Sequence, residues 1–319
     1  MAQTTRTTVT DQVLSEVIAE AALSAARPKN VLSRLCNQTS IAGMPAASLS
    51  MPRHGDIGAA ASVSETADIS STTLTAGTQS TFTPLEYGIM AEVTYKAARR
   101  RMPGLASVHQ LFDGSASLEQ QLAVFADDSE RLGAAQFEAL EAVCIDALDS
   151  LANSVGSTTV NLALSDMEDA LYTYETLEVS NEDLAFVLAP RQIADLRTAL
   201  TTATGTIWST DIQSIMERSP DTSKTGLQGA FLGVPTYTLS NSIVNTANAG
   251  ADVVGALIPV GRGDPVAGQA GAVVIVEGEP LFYSFETDNS KRSVEIQAVW
   301  EWAAGLRATD YGVKIVTDA

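Results

Sequence analysis

The side chains that most often carry chemistry are few in this sequence and scattered along it. There are two histidines and two cysteines in 319 residues. His54 precedes Gly55, and His109 lies in a stretch flanked by proline and glycine. Neither has a second histidine or a cysteine two to four residues away, so both read as structural or superficial. Cys36 and Cys144 stand 108 positions apart, in neither a C-x-x-C nor a C-x-C pair, and read as inert buried thiols rather than a zinc site or a disulfide framework. Asp127-Asp128 and the acids at Glu175 and Glu178 have the charge for a cation but not the spacing of a calcium loop, which leaves solvated helix faces. Gly261-Arg262-Gly263 begins like a dinucleotide fingerprint, but Asp264-Pro265-Val266 breaks it, and a turn between strands accounts for it better. Arg262-Gly263-Asp264 also spells an integrin-binding tripeptide, here without context. No G-x-S-x-G, H-E-x-x-H or phosphate-loop pattern occurs. The inventory therefore assigns no catalytic, cofactor-binding or metal-binding residue, and no enzyme chemistry is expected.

Arg99-Arg100-Arg101 is the one dense basic cluster. Only Tyr95 is nearby, so it lacks the interleaved aromatics of a single-stranded nucleic-acid surface. It reads instead as a partner for acids on a neighbouring chain or as a solvated end. Around it the charge is uneven. Residues 1–110 carry nine basic and eight acidic side chains, residues 111–319 ten and thirty, and the whole chain is at −19. Such an excess disfavours broad attraction to phosphate backbones. With 45% apolar and 18% charged residues, the chain is expected to fold around a sizeable core. The Glu16 and Glu20 carboxylates interrupt the first apolar run, so no export signal is expected. No run is apolar for the ~20 residues a membrane span needs.

The elements follow from periodicity. Asp11 can cap a helix over 12–26 with Val13, Val17, Ala21 and Ala25 on one stripe beside Leu14, Ile18 and Ala22. From Arg27 to Pro52 the pattern predicts an extended arm. Strand-like runs at 57–63 and 81–95 enclose a Ser/Thr/Gly-rich stretch, giving a two-stranded appendage that is marginal in water unless it rests on something else. A long helix is predicted over 117–151, with a kink near Asp127-Asp128-Ser129 or Gly133. Ser165 and Glu168 have capping-box spacing before a helix that runs to about Glu175. A strand at 184–188 leads to a helix opened by Pro190. Further strands are predicted at 232–239, 253–259, 272–277, 281–285, 294–303 and 311–316. The class is α+β, with two extended appendages and no evident active site, which points to assembly.

The order of these pieces resembles the major capsid proteins of tailed bacteriophages, the Hong Kong 97-type fold, over essentially the whole chain. SETADISSTTLTAGTQSTFTPLEYGIMAEVTYKAARR looks like that family's extended loop returning into its peripheral domain. LAFVLAPRQIADLRTAL looks like a strand and helix of its axial domain, GAFLGVPTYTLSNSI like a segment near the middle of that domain, and VEIQAVWEWAAGLRATDYGVKIV like its closing strands. The resemblance implies an N-arm at 1–51, an E-loop at 52–94, a peripheral domain from 95–152 and 287–319 around a long spine helix, and an axial domain at 153–286. It further implies a structural protein that self-assembles as pentamers and hexamers into an icosahedral shell around double-stranded DNA. The implied partners are a separate scaffolding protein, a portal, a cement protein and packaged DNA bound without sequence specificity. The implied location is the virion, after assembly in the host cytoplasm. Gly55, Gly58 and Gly77 are expected bending points of the loop. No lysine lies between Lys29 and Lys96, so the Lys–Asn cross-link of some members is excluded from its usual place. The readings set against this one are an encapsulin-type compartment, a small-molecule enzyme without a recognisable motif, and an extracellular adhesin or tail component.

Overall fold

A computed structural model of the chain describes residues 30–54, 76–101, 118–177, 183–202, 227–239, 246–247, 252–261, 271–288 and 290–318. The helix expected at 12–26 and the strand expected at 57–63 lie outside the described residues. In chain order come a 3-10 turn (Leu32–Arg34), strands β1 (Asn37–Ser40), β2 (Leu49–His54), β3 (Ala76–Phe82) and β4 (Leu85–Thr94), and helices α1 (Tyr95–Arg101) and α2 (Leu118–Asp149). There follow β5 (Asn153–Gly156), α3 (Leu164–Glu175), β6 (Leu184–Leu188), α4 (Pro190–Thr202), β7 (Leu227–Phe231) and β8 (Val234–Thr238). The rest is strand: β9 (Thr246–Ala247), β10 (Asp252–Pro259), β11 (Val273–Glu277), β12 (Phe282–Asp288), β13 (Ser293–Leu306) and β14 (Val313–Asp318).

Continuous apolar runs make the middle of a seven-stranded sheet ordered β5-β14-β10-β6-β8-β7, with β9 beside β10. Every residue of β10 is buried, as a strand covered on both faces requires. Ala185, Val187, Ala256 and Ile258 point to one face, where Leu140, Cys144 and Leu148 of α2 cover them. Phe186, Leu188 and Leu257 point to the other, against Met167 and Ala170 of α3 and Ile193 and Leu196 of α4. The second sheet is five-stranded, ordered β1-β11-β13-β12, with β4 along the free side of β13. In β13 burial alternates, so that Ile296, Ala298, Trp300 and Trp302 are buried while the residues between them are partly exposed.

Helix α2 spans 32 residues, about 48 Å at 1.5 Å per residue. It passes without a break through Asp127, Asp128, Ser129 and Gly133, where the sequence predicts a kink. The buried stripe of Leu132, Leu140, Ile145 and Leu148 outweighs the ~1 kcal/mol by which a helical glycine falls short of alanine. The cap of α3 also differs from expectation. Its N-cap is Ala163, and Asp166, not Glu168, reaches back to accept the Ala163 N–H at 2.9 Å, because the helix starts before Ser165 can cap it.

The strand expected at 232–239 is β8, which starts two residues later as the second arm of a hairpin with β7. Leu232 and Gly233 have φ of 50° and 83°, the two left-handed positions of a type I′ turn between β7 and β8. The run expected at 81–95 divides at Thr83-Pro84, since proline gives no donor to a ladder, and β3 and β4 join different sheets. Strands expected from 253 onward appear as β10 to β14 with bounds shifted by at most three residues.

Candidate assembly surfaces

Residues 30–41 meet the body of the protein on Glu141, a fully buried carboxylate on α2. The Val31 and Leu32 N–H groups donate to Oε1 at 2.9 and 2.6 Å, and the Ser33 N–H donates to Oε2 at 2.8 Å. Donors at the start of a helical turn have no partner within the turn, and the carboxylate supplies one. Burial pushes the Glu141 carboxyl above its ordinary pKa, while the three N–H groups pull the other way. Beside it the Cys36 thiol donates to the Leu32 carbonyl at 3.0 Å and touches Cys144, and burial raises its pKa as well. Both cysteines are free and buried.

From there β1 runs parallel to β11, pairing Asn37 with Val274 through Ser40 with Glu277. The extended arm expected up to Pro52 is therefore fastened to the body from Asn30 onward. A strand of Asn, Gln, Thr and Ser carries no apolar pattern, so β1 is recognisable only by its pairing with a buried strand.

The β2–β3 ribbon lies on the outward face of the five-stranded sheet. Met51 and Phe82 pack there on Ile41, Val274 and Val276, and the Ser80 hydroxyl donates to the Arg307 carbonyl at 2.7 Å. The body thus supplies the support that a two-stranded appendage needs. Between Pro52↔Gln79 and His54↔Ala76 the register shifts, so that two residues of β3, Gly77 and Thr78, stand against one of β2, and the expected bending point Gly77 lies within this irregular stretch. Gly55 and Gly58 lie outside the described residues.

A groove of about 680 Å³ opens on the opposite face, beside Asn30. Phe137, Leu140, Ile275 and Trp300 line it with apolar surface, and the Trp300 indole N–H donates to Glu277 Oε1 at 2.8 Å. Another part of the wall is polar, from Ser33, Arg34, Gln38, Thr39 and Ser40, so the groove offers an apolar floor beside a hydroxyl-rich rim.

The other residues considered for chemistry stay apart. His54 ends β2, while His109, Glu178 and Arg262 to Asp264 lie outside the described residues. Asp127 and Asp128 lie on α2, Glu175 closes α3, and no group of three potential metal ligands occurs among the described residues. Gly261 has a packing role, because a Cβ there would overlap Asn37. Among the described residues no helix is long and apolar enough to cross a membrane.

Three buried polar residues that organise the molecule escape motif reading. Besides Glu141, Gln136 donates from α2 to the Tyr87 and Ala298 carbonyls at 3.0 and 3.1 Å, pinning the helix to β4 and β13. Gln192 accepts the Ala189 N–H at 3.0 Å and donates to the Ile315 carbonyl and the Thr317 hydroxyl, both at 3.1 Å. The available signal was a polar residue on an apolar stripe, as Glu141 is between Phe137 and Cys144.

No protein-family model matches the sequence, and no curated protein matches it. Solved structures do. The capsid of the cyanophage P-SCSP1u is similar at 12% identity, over 90% of this chain and 88% of that one, with a TM-score of 0.57. The head of Helicobacter pylori bacteriophage KHP40 is similar at 11% identity, over 93% and 91%, with a TM-score of 0.58. The holo-SrpI encapsulin complex from Synechococcus elongatus is similar at 14% identity, over 90% and 86%, with a TM-score of 0.55. The chain has the fold of phage capsid proteins, as its sequence led us to expect.

Proposed function

We propose that this protein is the major capsid protein of a tailed bacteriophage, a structural and non-enzymatic subunit that assembles with its own copies into an icosahedral shell around double-stranded DNA. The observation that carries the reading is likeness to phage capsids and heads over nine-tenths of the chain. The arm strand β1 and the β2–β3 ribbon, which form no core of their own and rest on the five-stranded sheet, support it. In this reading residues 1–51 are the N-arm, 52–94 the E-loop, 95–152 with 287–319 the peripheral domain around α2, and 153–286 the axial domain. The two sheets exchange strands across the last boundary, since β11 and β12 belong with β13, and β14 belongs with β10. Scaffolding, portal and cement proteins are the further partners, DNA is held without sequence preference, and the location is the virion after assembly in the host cytoplasm.

The encapsulin likeness at a similar TM-score favours one second reading, a compartment around cargo protein. Expression of the chain, alone and with a scaffolding protein, followed by size-exclusion chromatography and negative-stain electron microscopy, tests the proposal. Closed icosahedral particles or capsomer-sized rings are the expected result, and a monomer under every condition overturns it. Particles from the native source distinguish the readings by content, nuclease-protected DNA for the phage and protein for the compartment.

A further inference from the structure

Opposite α2, the strands β4, β13 and β12 present a face that the described chain leaves open. Its side chains stand in rungs. Phe282 lies across from Val299, and Val299 across from Gly88; next come Ser284, Gln297 and Met90; then Glu286, Glu295 and Glu92. Phe282 is 49% exposed and Met90 53%. The last rung sets three carboxylates side by side, an arrangement that destabilises a sheet unless cations join it. One cation does, as Lys291 Nζ lies 3.0 Å from Glu295 and 3.6 Å from Asp288. A single ammonium thus serves the whole rung, reaching Glu92 only by longer-range attraction, and Glu92 and Glu286 on its flanks remain exposed with no direct ion pair among the described residues.

The same chain carries the complementary surface. Lys96 and Arg100 are exposed on α1, four residues apart on one helical face, and neither pairs with a described acid. They belong to the one dense basic cluster of a chain at −19. We propose that the β4–β13–β12 face is a chain-to-chain interface that receives the cationic face of α1 from a second copy, with Lys96 and Arg100 against Glu92 and Glu286 and with Phe282 and Met90 covered. Charge complementarity selects this occupant. The glutamate rung repels nucleic acid, and the basic residues of this chain are the cations present wherever its copies meet. The inference rests on the proposed self-assembly only in requiring that copies associate.

The test mixes full-length chains labelled with light and heavy nitrogen, lets them associate, and applies a zero-length carbodiimide, which joins an ammonium to a carboxylate in contact. Mixed-label links from Lys96 to Glu92 or Glu286 are expected. The double variant E92K/E286K should raise the concentration needed for association roughly tenfold, and adding K96E/R100E to it should restore association. E92Q/E286Q guards against misfolding, because it relieves the repulsion within the rung and should weaken association without lowering the melting temperature. Links within one label only, or normal association by both double variants, overturn the interface. Shells without the mixed link overturn this interface and leave the shell reading standing. A discrete dimer that carries the link and forms neither rings nor shells does the reverse, and a monomer without mixed links overturns both.

Discussion

The seven-stranded sheet and the five-stranded sheet bury their strands in different ways. β10 has no exposed residue, and its alternate side chains enter two separate cores that the chain itself provides. β13 alternates, with tryptophans turned to α2 and Glu295, Gln297, Val299 and Glu301 turned away. The β2–β3 ribbon covers part of that outward side around Val274 and Val276 and stops short of Phe282. A sheet covered on both faces by its own chain is complete as a monomer. A sheet with an open face keeps surface available to a neighbour, so the two sheets divide holding the fold from meeting other molecules.

Breaking the covered sheet should have the largest effect. Phe186→Ala opens a cavity beside Phe231 and should remove about 3–5 kcal/mol of stability, read as a lowered urea midpoint. Next comes Glu141→Ala, which leaves three buried N–H groups without an acceptor and should destabilise by about 2–4 kcal/mol. The pH dependence of that site has a defined sign. Because the folded carboxyl binds its proton more readily than the ordinary value of 4.5, its contribution to stability declines as pH rises from 4.5 through the raised folded value. Glu141→Gln should flatten that slope in melts taken across the window. Phe82→Ala should act locally. It should ease opening of the ribbon by about 2 kcal/mol, seen as faster hydrogen exchange in β2 and β3 and unchanged exchange in β6 and β10. Phe282→Ser should leave the thermal melt of the isolated chain within about 0.5 kcal/mol of the parent, the contrast that defines the open face.

How far the sequence could be read follows the same division. β6, α4 and the closing strands were legible because burial on one or both faces writes an apolar pattern along them. β1 and β5 were not, since Asn37–Ser40 and Asn153–Gly156 are polar segments held by pairing with β11 and β14 from far along the chain. The division at Pro84 and the turn at Leu232-Gly233 were missed because apolar residues continue through both and hide the local backbone chemistry. Of the assembly surfaces, the ribbon and the basic cluster were visible in sequence. The clamp on Glu141 and the glutamate rung were not, because each exists only once distant segments are in register.

The pairing of β1 with β11 also sets a timetable for biosynthesis. Asn37 leaves the ribosome more than two hundred residues before Val274, the strand residue it lies beside. At about 5–20 residues per second, roughly 10–50 s separate the two, during which β1 has no strand to lie against. The ribbon waits nearly as long, because Val274 and Val276 form part of the surface on which Met51 and Phe82 rest. A polypeptide that terminates before residue 273 lacks that surface altogether, so the ribbon can settle in this place only on chains translated nearly to their end.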